Sequence, residues 1–253
     1  MKTSLPDCLF SLKSPFKPAI LGTALLLSLS LLEPFAGATV ITGNTADNEL
    51  QAAGGGTPGA DPTATAIRIG ASAGAGRDAI FIFQLPDLGL VSNPFATANL
   101  SLTFINKTNS TAYNVDLWGL DGSTSSTTTI PVNSFFNGSS SDPNYFLIQD
   151  DFLVTVTNNT TYTTSGPNLA AFLNGEYAGG ANIGKYVFIR ANPDTTPTGT
   201  NGYNLATADS TTTAFQPVIN YTAIPEPGST LLLALGFSAV WVTRRRKGLI
   251  HMG

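Results

Sequence analysis

The sequence predicts an all-β fold, a jelly-roll-like antiparallel β-sandwich with one short helix, flanked by an N-terminal signal helix and a C-terminal transmembrane helix. Three observations predict this class. Short apolar runs rich in Val, Ile, Phe, Tyr and Thr recur along the chain, clusters of Gly, Ser, Asn and Pro separate them, and only one stretch has the pattern of a helix. Many short strands joined by turn residues are typical of sandwiches and jelly rolls.

The first 38 residues have the pattern of a secretory signal peptide. Lysines at the start precede an apolar run of about 14 residues, Ala19 to Leu32, and the small-residue site Ala36-Gly37-Ala38 follows. This order of parts predicts cleavage after Ala38. A buried or membrane helix is the alternative, but a membrane span needs about 20 apolar residues. We therefore predict that residues 1–38 are removed on export.

Residues 39–223 form the predicted folded domain. Strands are predicted at residues 65–69, 79–86, 100–104, 113–117, 152–157, 185–191 and 216–222. The run Ala79 to Pro86, AIFIFQLP, is apolar on both faces, which predicts a central strand that is covered on both sides. From Leu100 to Phe104 apolar and polar residues alternate, which predicts a strand with one buried face. The glycine-rich residues 70–76 predict a turn.

The one helix is predicted within GPNLAAFLNGEYAGG, residues 166–180. Ser165 or Gly166 is the expected N-cap, Pro167 suits the first turn, and Gly175 suits the end. We expect this helix to close one side or end of the sandwich. Its apolar face consists of Leu169, Phe172 and Leu173.

Composition excludes several kinds of site from the domain. Cys8 and His251 are the only cysteine and histidine, and both lie outside residues 39–223. Disulfides, Cys or His metal ligands, and Ser–His or Cys–His nucleophile pairs are therefore excluded. The domain carries thirteen acids and five basic residues, which gives a net charge of about −8. Because it has no basic patch, no nucleic acid is expected as a partner.

The acids of the domain select no catalytic pair. Asp150 and Asp151 are adjacent, so on a regular strand they face opposite sides and form a carboxylate pair only at a bulge or turn. Asp116 and Asp121 flank Trp118, but no calcium-loop motif surrounds them. We predict no catalytic residue, no metal ligand and no cofactor, with a structural Ca²⁺ ion as the alternative to solvated loop acids.

Trp118 and Tyr113 are the candidate carbohydrate contacts, because an exposed aromatic ring can stack on a sugar. Trp118 is the only tryptophan between residues 39 and 223. On one regular strand the two side chains face opposite sides. Packing in the core or at a strand edge is the alternative for both.

The segment 224–247 combines three parts in order. A Pro-Glu-Pro motif comes first, an uncharged run of 16 residues from Gly228 to Thr243 follows, and a basic tail ends the segment. Sixteen helical residues span about 24 Å, less than a bilayer core of about 30 Å, so flanking residues must snorkel or the bilayer must thin. The tail is expected to stay in the cytoplasm and stop the transfer. Its residues are Arg244, Arg245, Arg246 and Lys247.

This arrangement resembles the PEP-CTERM sorting signal, which has the same motif, a short membrane span and an Arg-rich tail. The resemblance implies that a membrane enzyme, exosortase, recognises Pro225, Glu226 and Pro227 and releases or transfers the protein to the outside. It also implies that Glu226 is the charge that the enzyme reads. The two prolines themselves hold the motif extended and non-helical. Residues 248–253 form the remaining tail.

A second resemblance covers residues 64–223. The stretch TAIRIGASAGAGRDAIFIFQLPDL contains a strand, a Gly/Ser turn and a basic residue, Arg77, that leads into a strand ending in FQLP. With ATANLSLTF, YNVDLWGL, LAAFLNGEYAGGANIGKYVFIRA and QPVINYTA in order, it resembles the DNRLRE-type domain, an exported β-sandwich. The literal DNRLRE string does not occur. Some relatives bind polysaccharide, so the resemblance implies sugar binding as one alternative.

Together these patterns predict an exported, non-enzymatic protein of the cell surface or of the exopolysaccharide and biofilm matrix. Its expected partners are exosortase, the bacterial inner membrane before processing, and extracellular polysaccharide. One alternative is a carbohydrate-binding module that recognises a matrix polysaccharide. Another is a polysaccharide lyase or hydrolase, in which tyrosine or a basic residue would act as base or acid. The basic residues of the domain are Arg68, Arg77, Lys107, Lys185 and Arg190.

Overall fold

Twelve strands of the described part of the chain pair in one curled antiparallel sheet, in the computed structural model of this protein. The structure describes residues 38–51, 57–58, 63–72, 75–108, 112–131, 145–195, 197 and 199–224. These residues belong to one compact unit. The predicted all-β class and the antiparallel pairing are confirmed.

The strands are numbered along the chain. They are β1 (Ala38–Thr42), β2 (Asn48–Gln51), β3 (Thr57–Pro58), β4 (Ala66–Ser72), β5 (Ala75–Gln84), β6 (Phe95–Lys107), β7 (Val115–Gly119), β8 (Phe146–Leu153), β9 (Thr160–Thr163), β10 (Tyr186–Pro193), β11 (Asn201–Ala206) and β12 (Val218–Ala223). One α-helix of the described residues, α1, spans Asn168–Tyr177. Neighbouring strands follow the order β1-β12-β6-β11-β4-β5-β10-β7-β8, while β2 joins β3 to β5 and β9 pairs with β6.

Two long strands change partners along their length, and this bends the sheet. β5 pairs with β4 at its start, with β2 through residues 77–80 and with β10 through residues 79–84. β6 pairs first with β12 and then with β11, where the register shifts. A bridge between Gly43 and Phe83 brings the end of β1 back to β5. The sheet therefore curls around its own core.

The core has two parts, which lie on opposite faces of β5. Ala79, Phe81 and Phe83 pack in the main core, together with residues of both ends of the sheet and of α1. Ile80 and Ile82 pack in a second cluster. The prediction that AIFIFQLP is covered on both sides is therefore confirmed, because a strand alternates its side chains between two faces. The other buried members of the second cluster are Leu50, Leu120, Ile130 and Phe188.

β6 follows the predicted alternation with one exception. The side chains of Leu100, Leu102 and Phe104 are fully buried, as expected. Thr103 is buried as well, because β9 pairs beside it and the Thr161 hydroxyl lies 2.8 Å from the Thr103 hydroxyl. This hydrogen bond satisfies the buried hydroxyl of Thr103 and so offsets the cost of burying it beside β9.

Helix α1 packs against β6 and β8, which lie far apart in the order of the sheet. It therefore closes the gap between these two strands, as we expected of a helix that closes one side of the fold. Its buried face includes the predicted apolar residues Leu169, Phe172 and Leu173. The N-cap position belongs to Pro167 rather than to Ser165 or Gly166, and no side chain caps the helix there.

The predicted helix end at Gly175 is wrong. Helix α1 continues to Tyr177, and Ala178 follows it in the left-handed conformation with φ of 48°. The tyrosine hydroxyl donates a hydrogen bond to the Gly89 carbonyl at 2.8 Å, and the ring is fully buried. This anchoring outweighs the low helix propensity of one exposed glycine.

Two predicted boundaries also need correction. The glycine-rich turn at residues 70–76 is too long, because Ala71 pairs with Gly76 and both belong to the hairpin of β4 and β5. The strand predicted at 152–157 is displaced, since β8 ends at Leu153. The residues after it bend around Tyr162, whose hydroxyl accepts a hydrogen bond from the Thr157 N–H at 2.8 Å. The strands predicted at 185–191 and 216–222 are confirmed as β10 and β12.

Both predicted targeting segments lie largely outside the described residues. Residues 1–37, which include Ala36, and residues 225–253 are not described. Ala38 is the first residue of β1 and pairs with Thr222 of β12. No helix in the described part of the chain has the length and hydrophobicity that a membrane span requires.

Candidate functional site

A bulge in β8 shapes the candidate site. The register between β7 and β8 shifts between Val115 and Leu117, whose partners are Leu153 and Gln149. β8 therefore has two more residues than β7 over this interval. Asp151, within it, adopts φ of 52°, a left-handed conformation that aspartate and asparagine adopt more readily than most residues. The sequence allowed a carboxylate pair here only at a bulge, and the structure has that bulge.

Four carboxylates meet beside this bulge. Asp116 comes from β7, Asp150 and Asp151 come from β8, and Asp194 follows β10 directly. Each supplies one oxygen atom, and these four atoms lie within 4.8 Å of one another. Asp116 is fully buried, Asp194 is half-buried, and the other two are exposed. The cluster is therefore open to solvent through Asp150 and Asp151.

Backbone contacts fix the position of the cluster. The Asp151 N–H donates a hydrogen bond to Oδ1 of Asp116 at 2.8 Å. The Asp194 N–H donates to the carbonyl of Asn114 at 3.2 Å, which ties the end of β10 to the residue before β7. Two strands, β7 and β8, and the residue that follows β10 thus place their carboxylates together.

The electrostatics of the cluster are unfavourable for four charged groups. Burial, against the hydrogen bond from the Asp151 N–H and together with the neighbouring Asp194 and Asp150, raises the pKa of Asp116 to about 8. Asp194 raises the pKa of Asp116 in two ways. It is a like charge when ionised, and two adjoining carboxyl groups can share a hydrogen bond only when one of them keeps its proton. None of the four carboxylates forms an ion pair with a described residue.

Two oxygens of the cluster have no partner. Oδ2 of Asp116 and Oδ1 of Asp194 are buried, and neither accepts a hydrogen bond from a described residue. Unpaired carboxylate oxygens without basic neighbours are the type of ligand that a hard cation requires. A glycosidase, in contrast, holds its two carboxyl groups about 5 Å or more apart on either side of a sugar. This cluster is too tight and too buried at Asp116 for that role.

The two candidate carbohydrate contacts are packing residues. Trp118 is 3% exposed, and the guanidinium carbon of Arg190 lies 5.9 Å from its ring centroid. Tyr113 is half-buried and stacks on Tyr203, with ring centroids 4.1 Å apart. Its hydroxyl donates a hydrogen bond to the Ile69 carbonyl at 2.8 Å. Stacking on a sugar needs an exposed ring face, which the buried Trp118 lacks.

Two of the five basic residues considered for a lyase, Arg190 and Arg77, are held by structural contacts. Arg190 lies 4.8 Å from the ring centroid of Tyr145, but its side chain is fully buried and its Nε donates to Oδ1 of Asn192 at 2.9 Å. A substrate has no access to a group in that position. Arg77 forms an ion pair with Glu49. The other three are Arg68, Lys107 and Lys185.

A groove lies beside β1. Its volume is about 280 Å³, and it is lined by residues 40–44, Gln84 and Pro86. None of these side chains is titratable. The groove therefore supplies neither an acid nor a base.

The strand that leads to the predicted sorting motif is described, although residues 225–227 and 244–247 are not. β12 ends at Ala223, and the Ile224 N–H donates to the Pro94 carbonyl at 2.8 Å. In comparison with protein families, residues 223–247 match the model described as the PEP-CTERM protein-sorting motif. The chain carries this sorting motif.

The motif implies an exported protein that exosortase, a membrane enzyme, processes, and that is anchored in the membrane during sorting. No family model matches the domain as a DNRLRE-type domain, so that resemblance stays a prediction. Comparison with curated proteins gave no match.

Sequence reasoning found some members of the acidic cluster and missed how they meet. It grouped Asp116 with Asp121, but Asp121 lies beside Glu176 instead. It did not single out Asp194, which follows β10 and reaches the cluster only through strand pairing. The usable signal was the pair of adjacent aspartates inside the run FLIQDDFL, where a strand can keep both charges in solvent only by bulging.

Proposed function

We propose that this protein is an exported, non-enzymatic component of the bacterial cell surface or of an exopolysaccharide matrix, to which its sorting motif delivers the folded domain. The PEP-CTERM motif at residues 223–247 is the observation that carries the proposal. β12, the last strand in the described part of the chain, ends at Ala223, so the Pro-Glu-Pro sequence begins two residues after it. Cleavage at this motif would release the whole folded domain.

The motif gives the processing enzyme a small number of features to recognise. Glu226 is the only charged residue between Ala223 and the basic tail. Pro225 and Pro227 fix φ and keep the residues around Glu226 out of a helix. An extended segment with one carboxylate is the form of substrate that a membrane protease-like enzyme can bind, and the arginine-rich tail would keep the remainder on the cytoplasmic side.

The outer face of β12, β6 and β9 supports a role in a hydrated matrix. Three hydroxyl pairs cross these strands, namely Thr97 with Thr222 at 2.7 Å, Ser101 with Thr163 at 2.9 Å, and Thr103 with Thr161 at 2.8 Å. Asn99 and Asn220 are paired on the same face. Apart from the buried Thr103, this neutral face, which we call the hydroxyl face, offers hydrogen-bond donors and acceptors to polysaccharide without electrostatic attraction.

The hydroxyl face favours a matrix role over a specific carbohydrate-binding module. No aromatic side chain lies among the eight residues that define it, so it provides no stacking platform for a sugar ring. Binding through separate hydroxyl contacts would be weak at each point, because each hydrogen bond replaces one with water. Such binding suits a protein that is retained by many contacts in a gel.

The sorting step is tested by comparing the wild type with Glu226→Ala in a host that has exosortase, using intact mass and cell fractionation. We expect the wild type to lose about its last 27 residues and leave the membrane, while the variant stays full-length and membrane-bound. Asp87→Ala is the control, because Asp87 is an exposed acid of the domain far from the motif in sequence. If the wild type also stays uncut, the protein is an ordinary membrane-anchored surface domain.

The matrix role is tested separately, in hosts with and without exopolysaccharide. We expect the processed protein in the matrix fraction of the first host and in the medium of the second. Finding it in the medium of both hosts would contradict the matrix role and leave the sorting result intact.

A further inference from the structure

The acidic cluster contains an observation that a surface group of acids does not. Asp116 is fully buried, yet its Oδ2 atom has no hydrogen-bond partner among the described residues. A carboxylate oxygen of Asp116 lies within 4.8 Å of carboxylate oxygens of Asp150, Asp151 and Asp194. A buried acceptor without a donor costs the folded state about 1–3 kcal/mol, and more when it is charged. A ligand at this point would remove that cost.

The cluster is built by the fold and is not a chance grouping on a loop. The bulge of β8 places Asp150 and Asp151 opposite β7, and the Asp151 N–H holds Oδ1 of Asp116 at 2.8 Å. That bond leaves Oδ2 as the free ligand atom. Oδ1 of Asp194 is also buried and unpartnered, so two of the four residues have an oxygen without a donor.

We propose that Asp116, Asp150, Asp151 and Asp194 form a Ca²⁺ site that fastens the edge strand β8 to β7 and to the end of β10. One oxygen of each carboxylate would coordinate the ion, and water on the exposed side of Asp150 and Asp151 would complete its coordination. β8 is the last strand in the order of the sheet, so the ion would join an edge that has only one strand partner.

The chemistry of the donors selects calcium among the common cations. All four ligands are carboxylate oxygens, and the domain has no histidine or cysteine for zinc or copper. Mg²⁺ requires near-ideal octahedral geometry and keeps several waters, so it is rarely held by a cluster of protein carboxylates. Ca²⁺ accepts six to eight oxygens in irregular geometry. An exported protein also meets Ca²⁺ at concentrations that a weak site can use.

The direct test is calorimetric titration of the full-length chain, purified in detergent and stripped with EGTA, with CaCl₂. We expect one site per chain with a Kd of about 10⁻⁴ to 10⁻³ M, the range of extracellular calcium modules. We also expect Ca²⁺ to raise the melting temperature, and MgCl₂ at the same ionic strength to leave it almost unchanged.

A matched pair of variants separates a site from general charge screening. Asp150→Asn removes one exposed ligand and should weaken Ca²⁺ binding by about tenfold or more, because affinity depends on the number of charged ligands. Asp87→Asn removes one exposed charge outside the cluster and should bind as the wild type does. Asp87 Oδ1 accepts the Gly89 N–H at 3.1 Å, a bond that asparagine keeps.

The effect of Asp150→Asn on the stability of the protein should change sign when Ca²⁺ is added. Without Ca²⁺ the variant should be at least as stable as the wild type, because it removes a like charge, and with excess Ca²⁺ it should be less stable. The proposal is overturned if no Ca²⁺ binds, if both variants bind as the wild type does, or if Mg²⁺ raises the melting temperature equally. The cluster would then be a pair of carboxyl groups that share a proton.

Discussion

Asp47 and Asp116 are buried to the same degree, at 1% and 0% exposed, and burial raises the pKa of each to about 8. Their hydrogen-bond partners differ. Asp47 Oδ1 accepts the Ile82 N–H at 2.8 Å, and its Oδ2 accepts the Ala208 N–H at 3.2 Å. Asp116 accepts one N–H at Oδ1, and its Oδ2 has no partner among the described residues. One of its two oxygens lies within 4.8 Å of oxygens from three other carboxylates.

The comparison shows that burial alone does not identify a ligand site. Asp47 satisfies two backbone donors on separate elements, so it joins the turn after β1 to β5 and to the segment after β11. Its surroundings complete its hydrogen bonds. The surroundings of Asp116 leave one of its carboxylate oxygens without a donor. We interpret this missing donor as the mark of a ligand-binding carboxylate, whereas a carboxylate with all its hydrogen bonds, such as Asp47, stabilises the fold.

The largest expected effect comes from removing the carboxyl group of Asp47. At pH 4, Asp47→Ala leaves two buried N–H groups without acceptors, and each costs about 1–3 kcal/mol. We expect a loss of about 3 kcal/mol in the free energy of unfolding, measured by urea denaturation in EGTA. The unfolding midpoint should fall while the m-value stays constant.

Asp116→Ala is the matched comparison under the same conditions. It frees one partly buried N–H and removes a crowded carboxyl group, so we expect a loss of about 1 kcal/mol or less. Equal losses of unfolding free energy in the two variants would contradict the distinction between a structural carboxylate, Asp47, and a ligand carboxylate, Asp116. They would mean that burial alone sets the contribution of each carboxyl group to stability.

Much of the fold could be predicted from sequence because strand periodicity is local. The two faces of Ala79 to Pro86 follow from alternation within eight residues, and the buried positions of helix α1 follow from its own spacing. The partners of Asp47 could not be predicted in this way. The hydrogen bond between Asp47 and Ala208 joins residues 161 positions apart, and only the pairing of distant strands decides that they meet.

The acidic cluster could not be predicted for a related reason. Parity places adjacent residues on opposite faces of a strand only while the register is regular. The bulge between Gln149 and Leu153 breaks that regularity, and it brings Asp150 and Asp151 to one point. The position of a bulge depends on the partner strand as well as on the residues in it.

The pH dependence of stability provides the second test of the comparison. The folded pKa of Asp47 is about 8, above its ordinary value of 3.8, so between these values the folded state binds more protons than the unfolded state. The stability that Asp47 contributes is therefore fully present below about pH 4 and is lost as the pH rises to about 8. The slope is at most about 1.4 kcal/mol per pH unit for one group.

We expect the difference in unfolding free energy between the wild type and Asp47→Ala to narrow steadily from pH 4 to pH 8, measured by urea denaturation in EGTA. Asp87→Ala, which removes an exposed acid, should show no such narrowing. A constant difference between the wild type and Asp47→Ala would mean that the two backbone donors keep Asp47 ionised in the folded state, against the effect of burial.

The smallest expected effect concerns the crowding around Asp116. Asp194→Asn replaces a like charge with an amide whose N–H₂ group can donate to the free Oδ2 of Asp116. At pH 7 in EGTA we expect the free energy of unfolding to rise by about 1 kcal/mol or less, the value of one added hydrogen bond. In Ca²⁺ the same variant should lose that advantage, because it removes a charged ligand. A destabilised variant in EGTA would show that Asp194 holds the end of β10 through contacts of its own, and that Asp116 gains nothing from a donor at this position.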